Sequence, residues 1–324
     1  MAKNDPIERA LDRLGELRHA EPTAGATEEL RGFLRNRSNL VVAKAATLVR
    51  EQRIVDLIPD LVATYNRFIA GAPRLDKRCA ALTEIMSALY ELDYDEPDPY
   101  LAGIKHVQLE GSYGPPVDEA AKLRAVSAQG LLRTRYADAL SEVVQLLVDR
   151  EPAARIGAIR ALAVNGGEAG ILLLRLKVLT GDPEAAVLGE CFSGLLASSP
   201  EKSVAFVAKY VDADDEAIAE SAMLALGESR LPAAHQVLKG KWDRTVLLPE
   251  KKVLLVAMAA SKLDAAIAFL ISLVKSGSAP IAAAAVEALS IYRHNERVST
   301  SVRSAVMARK EKAVVEAYQS GFKG

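Results

Sequence analysis

Six prolines keep a regular beat along the second half of the chain: Pro152, Pro183, Pro200, Pro232, Pro249 and Pro280 are separated by 31, 17, 32, 17 and 31 residues. Proline fixes φ near its helical value and has no N–H, so a helix tolerates it in the first turn, where that N–H would lack an acceptor. Asp182 and Ser199 each precede one of these prolines, and Glu184 and Glu201 follow. That order supplies a capping oxygen first and then a negative charge at the positive end of the helix dipole. We therefore read each proline as a helix start, and an interval near 17 as one helix plus its turn.

A second signal has the same period. Small-Leu steps at Gly130-Leu131, Ala161-Leu162, Gly194-Leu195, Ala225-Leu226 and Ala288-Leu289 are spaced by 31, 33, 31 and 63 residues. The last gap holds two units, the additional one being Pro249 to Leu263 followed by Asp264 to Lys275. Within Ala154 to Leu162, Ile156, Ile159 and Leu162 fall three apart beside Ala158 and Ala161, which makes one apolar face with room for close helix approach. A unit of this size cannot bury its own stripe, so neighbouring units must stack.

On these residues, above all Glu151 to Leu162, Asp182 to Leu195 and Asp215 to Leu226, the chain resembles the HEAT-repeat superfamily. The likeness is clear over residues 118–295 and looser over 38–92. It implies an all-α, right-handed solenoid of antiparallel helix pairs, and it specifies a fold more than an activity. HEAT units often carry a basic residue near the start of one helix. Arg124 and Arg155 fit that pattern, whereas Leu188 and Ala219 occupy the comparable places in later units.

Composition agrees with close helix packing. Half of the 324 residues are hydrophobic while aromatics make up 5%, whereas sheets favour aromatic and β-branched residues. The net charge of −1 provides no global attraction to nucleic acid or anionic lipid. Met1 to Ala10 lacks the apolar core of a signal peptide, and no apolar run approaches the ~18 residues of a membrane span. A cytoplasmic location is expected. Cys79 and Cys191 lie in apolar helical stretches and read as buried thiols.

The expected organisation is a capping helix and linker at residues 1–26, helical repeats at 27–92, an irregular insertion with a short helix at 93–117, regular repeats at 118–295, and closing helices with a frayed tail at 296–324. Helices are expected from Thr27 to Leu34, Asn39 to Glu51, Ile54 to Ile69 and Asp76 to Leu92.

The insertion is the first candidate site. Asp93-Tyr94-Asp95-Glu96-Pro97-Asp98-Pro99-Tyr100 is acidic and stiffened by proline, and Gly111 to Pro116 is a second irregular piece beyond a helix expected from Tyr100 to Glu110. Insertions into repeats emerge on one face, often the binding face. Tyrosines on loops make amphipathic contacts at low entropic cost. Tyr94, Tyr100, His106, Glu110 and Tyr113 are accordingly the candidate partner-binding residues. If Tyr100 and Tyr113 are contact residues, replacing them by Ala leaves stability unchanged.

Catalytic and metal templates fit poorly. His106 and Glu110, four apart on the expected helix, with Asp118 or Glu119, make an incomplete metal set. Asp93, Asp95, Pro97 and Pro99 put prolines where a calcium loop needs ligands. Gly111 and Gly114 are not followed by the Gly-Lys-Ser/Thr of a phosphate loop, there is no Gly-x-Ser-x-Gly elbow, and His19, His106, His235 and His294 are scattered. No catalytic residue, metal or cofactor is expected.

Local charge supports an alternative. Residues 61–120 hold 5 basic and 10 acidic side chains, and residues 261–324 hold 9 and 5. Lys239, Lys241, Trp242, Arg244, Arg293, Arg297 and Arg303 are the candidates if the chain binds nucleic acid, as HEAT-like alkylpurine DNA glycosylases do through a concave basic groove. Bilin lyases also use HEAT-like repeats, a resemblance of fold alone. The function expected from sequence is a non-enzymatic scaffold that binds a protein or peptide through a concave helical face and the 93–117 insertion.

Overall fold

The computed structural model describes residues 6–19, 21, 23–111, 114–309 and 311–322. The chain divides into two compact units, Met1–Leu173 and Leu174–Gly324. Among the described residues the fold is all-α and solenoid-like, with nineteen helices and one two-stranded hairpin.

The first unit holds α1 (Pro6–Leu17), α2 (Ala24–Leu34), α3 (Asn39–Glu51), α4 (Ile58–Gly71), α5 (Ala80–Glu91) and α6 (Asp98–Lys105). The antiparallel hairpin of β1 (Leu109–Glu110) and β2 (Val117–Asp118) follows, and then α7 (Ala121–Leu131), α8 (Ala139–Gln145) and α9 (Pro152–Asn165). The division between the units falls within α10 (Gly167–Thr180). The second unit continues with α11 (Ala185–Ser198), α12 (Pro200–Val207), α13 (Glu216–Glu228), α14 (Pro232–Arg244) and α15 (Leu248–Ala260). It ends with α16 (Asp264–Ser276), α17 (Ala279–Leu289), α18 (Glu296–Arg309) and α19 (Lys312–Phe322).

Every second helix belongs to an inner layer. In the first unit α1, α3, α5, α7 and α9 pack in succession, and in the second α11, α13, α15, α17 and α19 do the same. The small-Leu steps lie in this layer, and Leu131, Leu162, Leu195, Leu226 and Leu289 are all buried. Small residues set the spacing. A Cβ on Gly157 would lie 2.4 Å from the Ala125 Cα of α7, and one on Gly227 would lie 2.1 Å from the Ala257 carbonyl oxygen of α15. At both positions backbone meets backbone.

Helix boundaries differ from expectation at several places. Five of the prolines sit in the first turn of a helix, but Pro183 stands two residues before α11, where Asp182 Oδ1 accepts the Glu184 N–H at 2.9 Å. Helix α5 starts at Ala80 rather than Asp76, because Arg78 and Cys79 are left-handed (φ 61° and 51°). The Asp76 carboxylate spans that break and caps the Ala81 and Leu82 N–H groups at 3.0 and 2.8 Å. The closing segment stays helical through Phe322, whose ring stacks on Tyr318 at 5.1 Å, so only Lys323 and Gly324 of the expected frayed tail lie outside the described residues.

Inner helices end in a recurrent way. Arg53, Asp93, Arg230 and Lys262 follow α3, α5, α13 and α15 and each has φ between 53° and 61°. That left-handed residue reverses the chain and frees its N–H for a carbonyl of the last turn. No helix among the described residues is long and apolar enough to cross a membrane.

If backbone contact sets the inner spacing, Gly157→Ala and Gly227→Ala each lower unfolding stability by about 1–3 kcal/mol through overpacking. Gly240 of α14 has open space around its Cβ position, so Gly240→Ala raises stability by about 0.5–1 kcal/mol. Urea titrations of the three variants test the contrast.

Candidate functional site

The insertion between α5 and α7 behaves as two parts. Its first part, which carries Tyr94 and Tyr100, is a fastened connector. Tyr100 is fully buried, donates its hydroxyl to the Tyr94 carbonyl at 2.9 Å, and lays its ring where a Cβ on Gly130 would meet it at 2.0 Å. Gly130 of the first small-Leu step thus accommodates an aromatic ring. This corrects the expectation that Tyr100 is a contact residue: it is core, and removing its ring leaves a cavity. Tyr94 is half-buried, with its ring 6.4 Å from that of Tyr100. Burial, then the nearby Glu96, Asp98 and Asp95, push its phenol pKa up. Arg133 closes the connector by pairing with Asp93 at 3.0 Å, donating to the Tyr90 carbonyl and stacking over the Tyr90 ring at 4.2 Å.

The second part is the hairpin, where a helix to Glu110 is expected. Helix α6 ends at Lys105, and His106 is extended with ψ 130°. His106 and Glu110 therefore do not meet through helical spacing. They converge on Gln108 instead, whose Oε1 lies 3.1 Å from His106 Nε2 and whose Nε2 donates to Glu110 Oε1 at 2.5 Å. Gln108 Nε2 also donates to the Asp76 carbonyl at 2.6 Å, and Glu110 accepts the Arg78 N–H at 2.7 Å. The hairpin is tied in this way to the left-handed loop before α5. Tyr113 lies outside the described residues. Among those residues no group of three or more His, Cys, Asp or Glu side chains is placed to hold a metal ion.

Beneath the hairpin lies a buried charge network. Asp118 Oδ1 accepts the backbone N–H groups of Gln108 and Ala120, both at 3.0 Å, and its Oδ2 meets Arg124 Nη1 at 2.7 Å. Arg124, 3% exposed, also grips Asp149 with two bonds at 2.9 and 3.0 Å and donates to the His106 carbonyl at 2.9 Å. Burial alone would raise the Asp118 pKa, but the Gln108 and Ala120 amides and then Arg124 outweigh it and hold the group below its ordinary value. Arg155 continues the pattern by donating to the Asp149 and Arg150 carbonyls at 2.8 and 3.1 Å.

This network holds a segment of inverted polarity, Val107 and Gln108 leading into β1. Val107 is 60% exposed, Gln108 2% and Leu109 62%, with Val117 on β2 at 56%. A half-buried strand normally turns its apolar side chains inward. Here the glutamine is inside and the valine and leucine face solvent. A cleft of about 800 Å³ runs beside Leu109, lined by Arg74, Lys77, Arg78, Glu110 and Glu119. Among the described residues none of those three cations is held in an ion pair. The sequence carried a sign of this arrangement in the alternation Val107-Gln108-Leu109-Glu110, followed by a turn with Gly111, Gly114 and two prolines.

The basic candidates of the second unit are largely neutralised from within. Lys241 pairs with Asp212 at 2.9 Å and Glu250 at 2.5 Å, Arg244 with Asp212 at 2.5 Å, and Lys239 with Asp243 at 2.6 Å. Trp242 is buried and packs edge-on against Phe269. Arg293 lies against His294 and Arg303 against Tyr318. Arg297 is exposed and lies opposite Asp264 at 3.7 Å. Lys239, Lys241 and Arg244 thus have carboxylate partners within the fold, which lowers the charge they offer to a phosphate.

No family model matches the chain, and no curated protein matches it. Among solved structures it is similar to one described as the crystal structure of an engineered protein, at 17% identity and a TM-score of 0.35 over 100% of this chain and 97% of that one. A likeness at that score carries no argument.

Two outcomes check the network. Arg124→Met leaves the Asp118 and Asp149 carboxylates, 9% and 14% exposed, without their cation and costs about 3 kcal/mol in chemical denaturation. Because the folded Asp118 pKa lies below the unfolded one, its contribution is complete above the unfolded value and is lost as pH falls through the folded value. The Gln108 and Ala120 amide resonances therefore shift together, with a midpoint below about 3.9, the ordinary Asp value.

Proposed function

We propose that the chain is a HEAT-type, cytoplasmic, non-enzymatic module that binds a segment of another protein on the 106–119 hairpin and the adjoining loop. The observation that carries this reading is the inverted segment. Val107 and Leu109, two residues apart, are held facing solvent by a polar network that fixes the backbone beneath them, while the exposed Val117 pairs with Glu110. A scattered exposed leucine means little, but a pre-organised apolar ridge lowers the entropic cost of docking. Arg74, Lys77 and Arg78 beside Leu109, which make no ion pair among the described residues, favour a partner segment that mixes apolar and acidic residues.

The non-enzymatic part rests on the nucleophiles. Burial pushes the Cys79 and Cys191 thiols up to about 12, so neither is a thiolate at neutral pH. The proposed location rests on the same two free, buried cysteines.

Selection of a random peptide library on the full chain tests the reading. Enriched peptides combine leucine-type and acidic residues, and their affinity falls about tenfold or more for Leu109→Asp. The melting temperature of that variant stays within a degree or two of the parent, because the side chain already faces water. Equal affinity for parent and variant overturns the hairpin as the docking surface.

A further inference from the structure

The second unit carries a groove of the opposite character. It has a volume of about 360 Å³ and lies between the first turns of α13 and α15, with Ala219 and Met223 as a buried apolar floor. Its lip is the connector between α14 and α15. Val246 is 86% exposed and Leu247 67%, although a three-residue turn has no packing reason to be apolar. The connector is not loose: Thr245 is buried, and its hydroxyl donates to the Lys241 carbonyl at 2.9 Å.

Charge decides what such a groove accepts. Lys241, the cation lining it, is already held between Asp212 and Glu250. Glu216 and Glu220 also line it and, among the described residues, neither has an ion-pair partner. Glu216 is accounted for by its place in the first turn of α13, where the helix dipole favours an acid. Glu220 stands a turn further in, beyond that benefit, and four residues from Glu216 on the same face, where two negative charges repel.

We infer that this groove is a second recognition site, which takes a basic segment of another protein, with a leucine-type side chain seated on Met223 and Leu247 and flanking Lys or Arg side chains on Glu216 and Glu220. Such a ligand relieves the repulsion between the two glutamates and covers the apolar lip in one step. The inference does not depend on the hairpin reading, because the hairpin cleft has more cations than acids along its lining, Arg74, Lys77 and Arg78 against Glu110 and Glu119, and so disfavours the same segment.

Fluorescence anisotropy of the full chain with a labelled peptide of alternating lysine and leucine tests the site. Comparison peptides alternate glutamate with leucine and lysine with serine. The lysine–leucine peptide binds saturably and more tightly than either comparison, and binding weakens with added salt. The double variant E216Q/E220Q and the single variant Leu247→Ser each weaken it about tenfold, while Leu109→Asp leaves it unchanged. Glu216, Glu220 and Leu247 are exposed, so circular dichroism of these variants matches the parent. Absence of binding, equal binding of the lysine–serine peptide, or undiminished binding by E216Q/E220Q overturns the site. Concentration-dependent self-association in sedimentation that E216Q/E220Q abolishes overturns the chosen occupant, since the groove would then take a second copy of this chain.

Discussion

Backbone contact between successive inner helices is the constraint on which the rest of the structure depends. Ala125 of α7 leaves no room for a Cβ on Gly157 of α9, and the Ala257 carbonyl leaves none on Gly227 of α13. Helices this close bury apolar stripes that neither could bury alone, and they exclude large side chains from the seam. The low aromatic content follows from that geometry. Tyr100 of α6 brings its ring against the inner layer at Gly130 of α7, where the missing side chain yields the space.

The hairpin departs from this regime and is held by different physics. Its two short strands cannot supply a hydrophobic face large enough to fix themselves. Arg124, Asp118, Asp149 and Gln108 do so with directed bonds in a nearly dry setting. A buried ion pair contributes little net stability relative to an apolar replacement, yet its geometry is specific. The segment entering β1 is thereby held with Gln108 in and Leu109 out, which burial of apolar area alone would reverse. The groove of the second unit shows related logic, with Lys241 neutralised inside and two glutamates left outside.

Much of the helical frame was legible because its causes are local. Proline excludes itself from helix interiors, and a helix pair of fixed length repeats its apolar stripe, so Pro152, Pro200 and Pro232 mark the starts of α9, α12 and α14. Helix α3 has the bounds expected for it, Asn39–Glu51. The start of α5 was hidden because Arg78 and Cys79 adopt left-handed angles that their residue types disfavour, a conformation Asp76 and Glu110 sustain from a distance. The burial of Tyr100 is hidden for a similar reason. Its loop-like surroundings suggest exposure, and only the place of Gly130 on α7 turns it into core.

The sequence by itself determined an all-α chain of paired helices and the places where its period breaks, since periodicity, capping and proline sterics act over a few residues. Tertiary structure decided which polar groups meet. Gln108 reaches Asp76 across 32 residues and Arg124 reaches Asp149 across 25, and no short-range pattern encodes such pairings. Burial then fixed their roles. Charges that look available in a linear reading, such as Lys241 and Arg244, are consumed within the fold, while the apolar Leu109 and Leu247 face water.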